Sequence, residues 1–298
     1  MYNLEWFILQ RVPMHKGGVN LCCDFPATLC KSTFLTPSRE EREYSHHFVG
    51  GKWSGIYDFF KSYPELLDKF EYFWFPDDDI ETTSEDVERF LKIVFRERFQ
   101  LAQPALKSDS YYAYRITLAN PRFRFRRTNF VELMMPIIHR DLLLQVLPVF
   151  ANRHFAQGMD FIWHQLARDP LRDVAIIDEV PMGHYRPRQT NLKGNMSKAG
   201  VDMMAERERT FKELSIRRPI LRVQSGLLKE GLVLNKGPRL TLELLKGLLE
   251  ISKSCSNPPM NSLHILHSIA YQYVGRSNVS TFDYSSLSQI QRNFSLFS

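Results

Sequence analysis

The stretch Glu71-Tyr72-Phe73-Trp74-Phe75-Pro76-Asp77-Asp78-Asp79 restricts the fold more than any other. Its aromatic run is too short for a helix and is apolar on both faces of an extended chain, so it reads as a central parallel strand covered on both sides. Pro76 ends that strand, and three carboxylates follow at once. In open α/β sheets ligands bind at the carboxyl ends of strands, which is where this triplet falls. Carboxylates gathered there repel one another unless a cation is present, and hard oxygen donors of this kind select Mg2+ or Mn2+ bridging to substrate phosphates. A run of aspartates is also a common solvated loop or helix cap, and on the residues alone the two readings stand level.

The flanks support an α/β arrangement. Gly50-Gly51 is a turn, and Ile56, Phe59, Phe60 and Tyr63 recur at helical spacing before Pro64. After the triplet, Thr83 or Ser84 can cap a helix whose apolar positions are Val87, Phe90, Leu91, Val94 and Phe95. Further strands are expected at residues 19–23, 111–118, 122–126, 130–135 and 174–177, and helices at 140–146 and 161–168. Strands alternating with helices predict a mixed, mostly parallel sheet flanked by helices. Beyond residue 190 the composition turns basic, with helices expected at 196–214 and 240–251. The division expected is therefore a catalytic α/β domain over 1–190 and a basic helical appendage with a Ser-rich tail over 191–298.

With 298 residues, 44% of them hydrophobic, the chain can fill a real core. The longest apolar candidate, 131–150, is interrupted by Glu132, His139, Arg140 and Asp141, so no membrane span is expected. No secretory signal is read at the N-terminus, and the expected location is the cytoplasm, peripheral to the inner face of the membrane. Cys22, Cys23, Cys30 and Cys255 have neither zinc spacing nor the density of a disulfide scaffold. The net charge of +6 suits an anionic partner: a nucleotide diphosphate, a lipid phosphate or an anionic membrane surface. Nucleic acid is disfavoured because no recognised module accompanies the charge.

Several single residues stand out. Glu132 lies in an apolar stretch, where it either faces an acceptor or pairs with Arg126 or Arg127. Arg122, Arg124 and Arg126 alternate with Phe123 and Phe125, which makes either an exposed strand face or an acceptor-phosphate contact. Trp74, Trp163 and Tyr185 could stack on a base or sugar, or simply pack.

Five stretches occur in register: Tyr72 to Asp79, Leu101-Ala102-Gln103-Pro104-Ala105-Leu106, Asn129-Phe130-Val131-Glu132-Leu133-Met134-Met135-Pro136, Gln157-Gly158-Met159-Asp160, and Val174-Ala175-Ile176-Ile177-Asp178 leading to Gly183-His184. Over them the chain resembles the plant and bacterial glycosyltransferase-like family catalogued as domain of unknown function 707, itself similar to GT-A glycosyltransferases. That resemblance implies a GT-A-like fold and a metal-dependent transfer of sugar from a nucleotide-sugar donor to a glycan or lipid-linked hydroxyl acceptor, in bacterial glycan or surface polysaccharide synthesis. It implies Asp79 as the direct ligand of Mn2+ or Mg2+, with Asp77 and His184 completing the shell. Asp77 and Asp78 would serve the donor's diphosphate and hydroxyls, and Asp160 would be the general base of an inverting reaction. A relative that binds carbohydrate or nucleotide without turnover is the alternative. A two-metal phosphohydrolase lacks the second acidic or histidine cluster it would need.

Overall fold

In a computed structural model of the chain, residues 6–12, 27–33, 46–186, 202–273 and 282–296 are described. The strand expected at 19–23 lies outside them. In chain order the elements are β1 (Trp6–Val12), β2 (Ala27–Thr33), β3 (His46–His47), α1 (Lys52–Ser62), α2 (Leu66–Lys69), β4 (Tyr72–Trp74), β5 (Ile80–Glu81), α3 (Ser84–Glu97), β6 (Leu101–Leu106), β7 (Phe123–Thr128), β8 (Ile137–His139) and α4 (Arg140–Val146). There follow β9 (Val174–His184), α5 (Met203–Glu213), β10 (Val223–Leu228), β11 (Val233–Asn235), α6 (Pro238–Ile251), α7 (Ser262–Ala270) and α8 (Tyr284–Asn293).

The strands form one sheet in the order β11-β10-β7-β9-β6-β8-β4-β1-β2-β3, with β5 paired to β9 off that path. β1, β2, β3, β4, β6, β9 and β10 run one way, and β7, β8 and β11 run against them. The result is the mixed, mostly parallel sheet expected.

β4 sits between β1 and β8, with Trp74 opposite Ile8 on one side and Ile137 on the other. Because side chains alternate across a strand, Phe73 faces one layer and Tyr72 and Trp74 the other. Phe73 packs with Phe7 of β1 and with Ile56, Phe59 and Phe60, the apolar stripe of α1. Trp74 packs with Val87, Phe90, Leu91 and Val94, the stripe of α3. Thr83 caps α3 by accepting the Asp86 amide. The aromatic run is thus buried between two helices.

Three expectations differ. Residues 111–118 are not a strand: a 3-10 turn, Arg115–Thr117, interrupts them, and the Tyr111 amide donates to the His184 carbonyl at the end of β9. Residues 130–135 are irregular, because their backbone groups are used elsewhere, the Leu133 and Met134 carbonyls by Lys52 and the Met134 carbonyl also by the Asp77 amide. Residues 161–168 hold 3-10 turns in place of an α-helix, since burial of Phe161, Ile162 and Trp163 on all sides leaves no single apolar stripe.

The expected appendage is not purely helical. β10 pairs antiparallel with β7 and carries β11, so residues beyond 202 extend the sheet itself. α5 is clasped to the body: the Glu206 carboxylate accepts the amides of His154, Phe155 and Ala156 at 2.7, 2.8 and 3.0 Å. Among the described residues no helix is long and apolar enough to cross a membrane.

Candidate active site

The chain leaves β4 at Trp74 and is fixed immediately, the Phe75 amide donating to the Pro136 carbonyl and the Asp77 amide to that of Met134. It is fixed again at β5, where Ile80 lies opposite His184 and Glu81 opposite Gly183. That register places Asp79 beside His184. The acidic loop is therefore short, tethered at both ends, and set at the carboxyl end of a buried strand.

Each carboxylate meets a cationic group from a distant part of the sequence. Lys52, on the first turn of α1, donates to Asp77 Oδ1 at 2.7 Å and to the carbonyls of Leu133 and Met134 at 2.9 and 2.7 Å. Arg186 Nη1 donates to Asp78 Oδ1 at 3.1 Å, and its Nε lies 3.5 Å from Asp79 Oδ2. His184 Nε2 is 3.3 Å from the same Asp79 oxygen, while its Nδ1 is 2.8 Å from the Tyr111 carbonyl. Asp79 Oδ1 is buried and has no hydrogen-bond partner among the described residues.

Burial pushes the Asp77 carboxyl up to about 6 and the Lys52 ammonium down, each against the attraction of the other. Burial likewise raises Asp78, with Arg186 opposing. For Asp79 burial would raise the carboxyl, but the His184 hydrogen bond and charge, with Arg186, take it below its ordinary value. His184 moves reciprocally: burial would lower it, yet Asp79 and the Tyr111 carbonyl hold it above its ordinary value.

Of the residues expected to share a metal ion, Asp79 and His184 meet but Asp77 is taken by Lys52. Among the described residues no group of three or more His, Cys, Asp or Glu side chains is arranged to hold a metal ion. The unpartnered Asp79 oxygen is one free ligand atom, and the other donors expected around Mg2+ or Mn2+ are engaged with the chain's own cations. The donor set does not fit the ion as it stands, because an ammonium and a guanidinium occupy the carboxylates.

The other candidates separate from the triplet. Asp160 is 5% exposed, accepts the Gly158 amide at 3.2 Å, and has its carboxyl pushed up to about 7 by burial. The charged side chain it feels is Arg207 of α5, and it shares no hydrogen bond with the triplet. Around it lie α5 and the segment that follows: Arg218 stacks on Phe161 and on Phe211 of α5, and Arg207 of α5 on Phe211. These contacts place Asp160 in a local turn under α5, and they do not support a base working beside a donor diphosphate. Trp163 is core, its indole donating to the Val131 carbonyl at 3.0 Å. Glu132 pairs with neither arginine, because Arg126 holds Asp178 and Arg127 donates to the Arg172 carbonyl. Arg122 and Arg124 likewise hold Glu243 and Glu179, so each of the three arginines of this strand is paired with a carboxylate.

Lys52 and Arg186 were not legible as site residues. Lys52 is one lysine at the start of an amphipathic helix, and its only signal is that Trp53, Ser54, Gly55 and Ile56 after it are all buried, which leaves an ammonium there in need of partners. Arg186 stands two residues beyond His184, in a stretch with further arginines and nothing to single it out.

Residues 51–129 match the model of a family described as "Protein of unknown function (DUF707)", a stretch that holds Lys52, the triplet, α3 and β7. The remaining motifs of the expected resemblance, from Phe130 to His184, lie beyond that match. No curated protein matches the chain. Among solved structures it is similar to the crystal structure of A197 from STIV, with 11% identity, 79% of this chain and 95% of that chain covered, and a TM-score of 0.32. It is also similar to S. aureus TarS 1-349 in complex with UDP-GlcNAc, with 9% identity, 98% and 91% covered, and a TM-score of 0.41. For a longer S. aureus TarS chain the figures are 9%, 97% and 55%, with a TM-score of 0.37. Likenesses this remote assign neither a fold nor a ligand to this chain.

Proposed function

We propose that this chain is a glycosyltransferase that binds a nucleotide sugar with its phosphates at the loop of Asp77, Asp78 and Asp79. The observation that carries the reading is the placement of that loop: three carboxylates at the carboxyl end of a doubly buried strand, tethered to His184 across β5 and β9. Ligand sites of α/β sheets form at such strand ends. In the transfer, an acceptor hydroxyl oxygen bonds to the anomeric carbon as the bond from that carbon to the phosphate oxygen breaks. The nucleoside diphosphate leaves with the electron pair, and the hydroxyl proton passes to a base that we leave unassigned. What the chain itself must supply is compensation for charge growing on the departing diphosphate. No step is routed through a metal ion. The acceptor class is a glycan hydroxyl, free or lipid-linked.

The test is a thermal-shift panel of nucleotide sugars and their nucleoside diphosphates, followed by a search for diphosphate release from whichever sugar binds. Ligand binding to the folded state raises the melting temperature, by an amount that grows with concentration over Kd. One nucleotide family should raise the melting temperature and its sugar should release diphosphate slowly in water. If every member of the panel leaves melting unchanged at millimolar concentration, the reading fails.

A further inference from the structure

The acidic loop is charge-balanced from within. Lys52, His184 and Arg186 face Asp77, Asp78 and Asp79, and the geometry gives each cation a fixed role. An ammonium has three donors, and Lys52 uses them on Asp77 Oδ1 and the carbonyls of Leu133 and Met134, so this ion is held on every side. His184 presents Nδ1 to the Tyr111 carbonyl at 2.8 Å, and its Nε2 lies 3.3 Å from Asp79 Oδ2, so the ring is fixed from both sides. Arg186 differs from both. Its Nη1 and Nε reach Asp78 and Asp79, its side chain is 31% exposed, and Nη2 has no partner among the described residues.

Resting on the glycosyltransferase reading above, we propose that Lys52 and Arg186 stand in place of a divalent ion, and that a nucleoside diphosphate binds here without metal, its phosphate received by Nη2 of Arg186. An entering divalent ion would find Oδ1 of Asp77 and Oδ1 of Asp78 already engaged, and Lys52, which holds Asp77, is itself anchored on two carbonyls beside it. A diphosphate meets no such obstacle. The carboxylates that would repel it are already paired, and the spare N–H groups of a guanidinium donate to phosphate oxygens. The Arg186 contacts to the triplet use Nε and Nη1, which leaves the two N–H groups of Nη2 for the ligand without breaking either.

The experiment is calorimetric titration of the full chain with UDP, GDP, CDP and dTDP, each in excess EDTA and in Mn2+, together with a thermal scan in Mn2+ alone. One nucleotide should bind with affinities that agree within about threefold in the two buffers, and Mn2+ alone should leave melting unchanged. Arg186→Ala should weaken that nucleotide roughly tenfold or more in EDTA. Because Arg186 is partly exposed and lies at the end of β9, this variant should fold, which circular dichroism checks. Binding that appears only in Mn2+ overturns the inference and leaves the glycosyltransferase reading standing. Binding in EDTA that Arg186→Ala does not weaken overturns the role given to Arg186. If no nucleotide binds in either buffer, the inference falls together with the reading beneath it.

Discussion

Two charge clusters lie along the same strand, one at Asp178 within β9 and one at its last residue, His184, and they are finished differently. At β7 and β9, Arg126 and Asp178 form a bidentate pair with both bonds at 2.8 Å, the Asn120 amide donates to Asp178 Oδ1, and Arg126 also reaches the Leu118 carbonyl. Both side chains are sealed, at 4% and 0% exposure. At the acidic loop the pairs range from 2.7 to 3.5 Å, Asp79 Oδ1 has no partner among the described residues, Arg186 is partly open and donors remain unspent. A closed cluster has nothing left to offer a ligand and acts as scaffold. An open one at a strand end keeps binding capacity, which is why we place function there.

The contrast can be broken most directly at the closed cluster. Asp178→Ala leaves the Arg126 guanidinium buried without its partner, which typically costs about 3–5 kcal/mol. Urea unfolding should show that loss, and a variant as stable as wild type would mean that the cluster is not scaffold. Asp160 sharpens the comparison because it is a buried carboxyl with no ion pair among the described residues. Its folded value of about 7 stands above the ordinary carboxylate value of about 3.9. Between those values the folded chain holds a proton that the unfolded chain releases, so stability falls as pH rises from about 4 to about 7. Asp160→Asn removes that slope: relative to wild type it should gain about 1–3 kcal/mol between pH 5 and pH 8. Parallel melting profiles for the two proteins would remove Asp160 from this account. The smallest effect is expected at the open cluster, where Asp79→Asn keeps the side-chain shape and an oxygen acceptor and should change stability by about 1 kcal/mol or less, while shrinking any shift in melting caused by nucleotide, because Arg186 loses one of the two carboxylates that orient it. Should Asp79→Asn unfold the chain as Asp178→Ala does, the distinction between open and closed is wrong.

What the sequence disclosed follows from where the physics is local. The strand at residues 72–74, its two flanking helices and the Thr83 cap all have short-range signals, namely an aromatic run, a 3.6-residue period and a capping hydroxyl, and all are found in place. The side of the loop that meets Lys52 and Arg186 has no such signal, since those contacts span 25 and 108 residues. The irregular path at 130–135 was hidden for a related reason. Its apolar residues pack as a strand's would, but its carbonyls serve Lys52 and Asp77, and only the tertiary fold reveals that. At Asp160, two residues past Gly158, a carboxylate is equally a catalytic base and a turn residue, and its burial beside α5, more than 40 residues on, has no local signal.

The position of β7 has a consequence for how the protein comes into being. Thr128 finds its partner in Val223, and the Asn129 side chain caps the Arg222 amide across 93 residues. During synthesis the ribosome adds about 95 residues between the two ends of that ladder, which at roughly 5–20 residues per second takes about 5–20 s. Throughout that interval the edge of Phe123–Thr128 away from β9 offers unpaired backbone groups to any passing strand. Of its alternating arginines, Arg124 and Arg126 can meet their carboxylates as soon as β9 is made, whereas Arg122 carries unpaired positive charge until Glu243 follows. Like charges on neighbouring nascent chains repel. The guanidinium of Arg122, which ends as mortar in the finished sheet, therefore guards its unfinished edge while the rest of the chain is still being made.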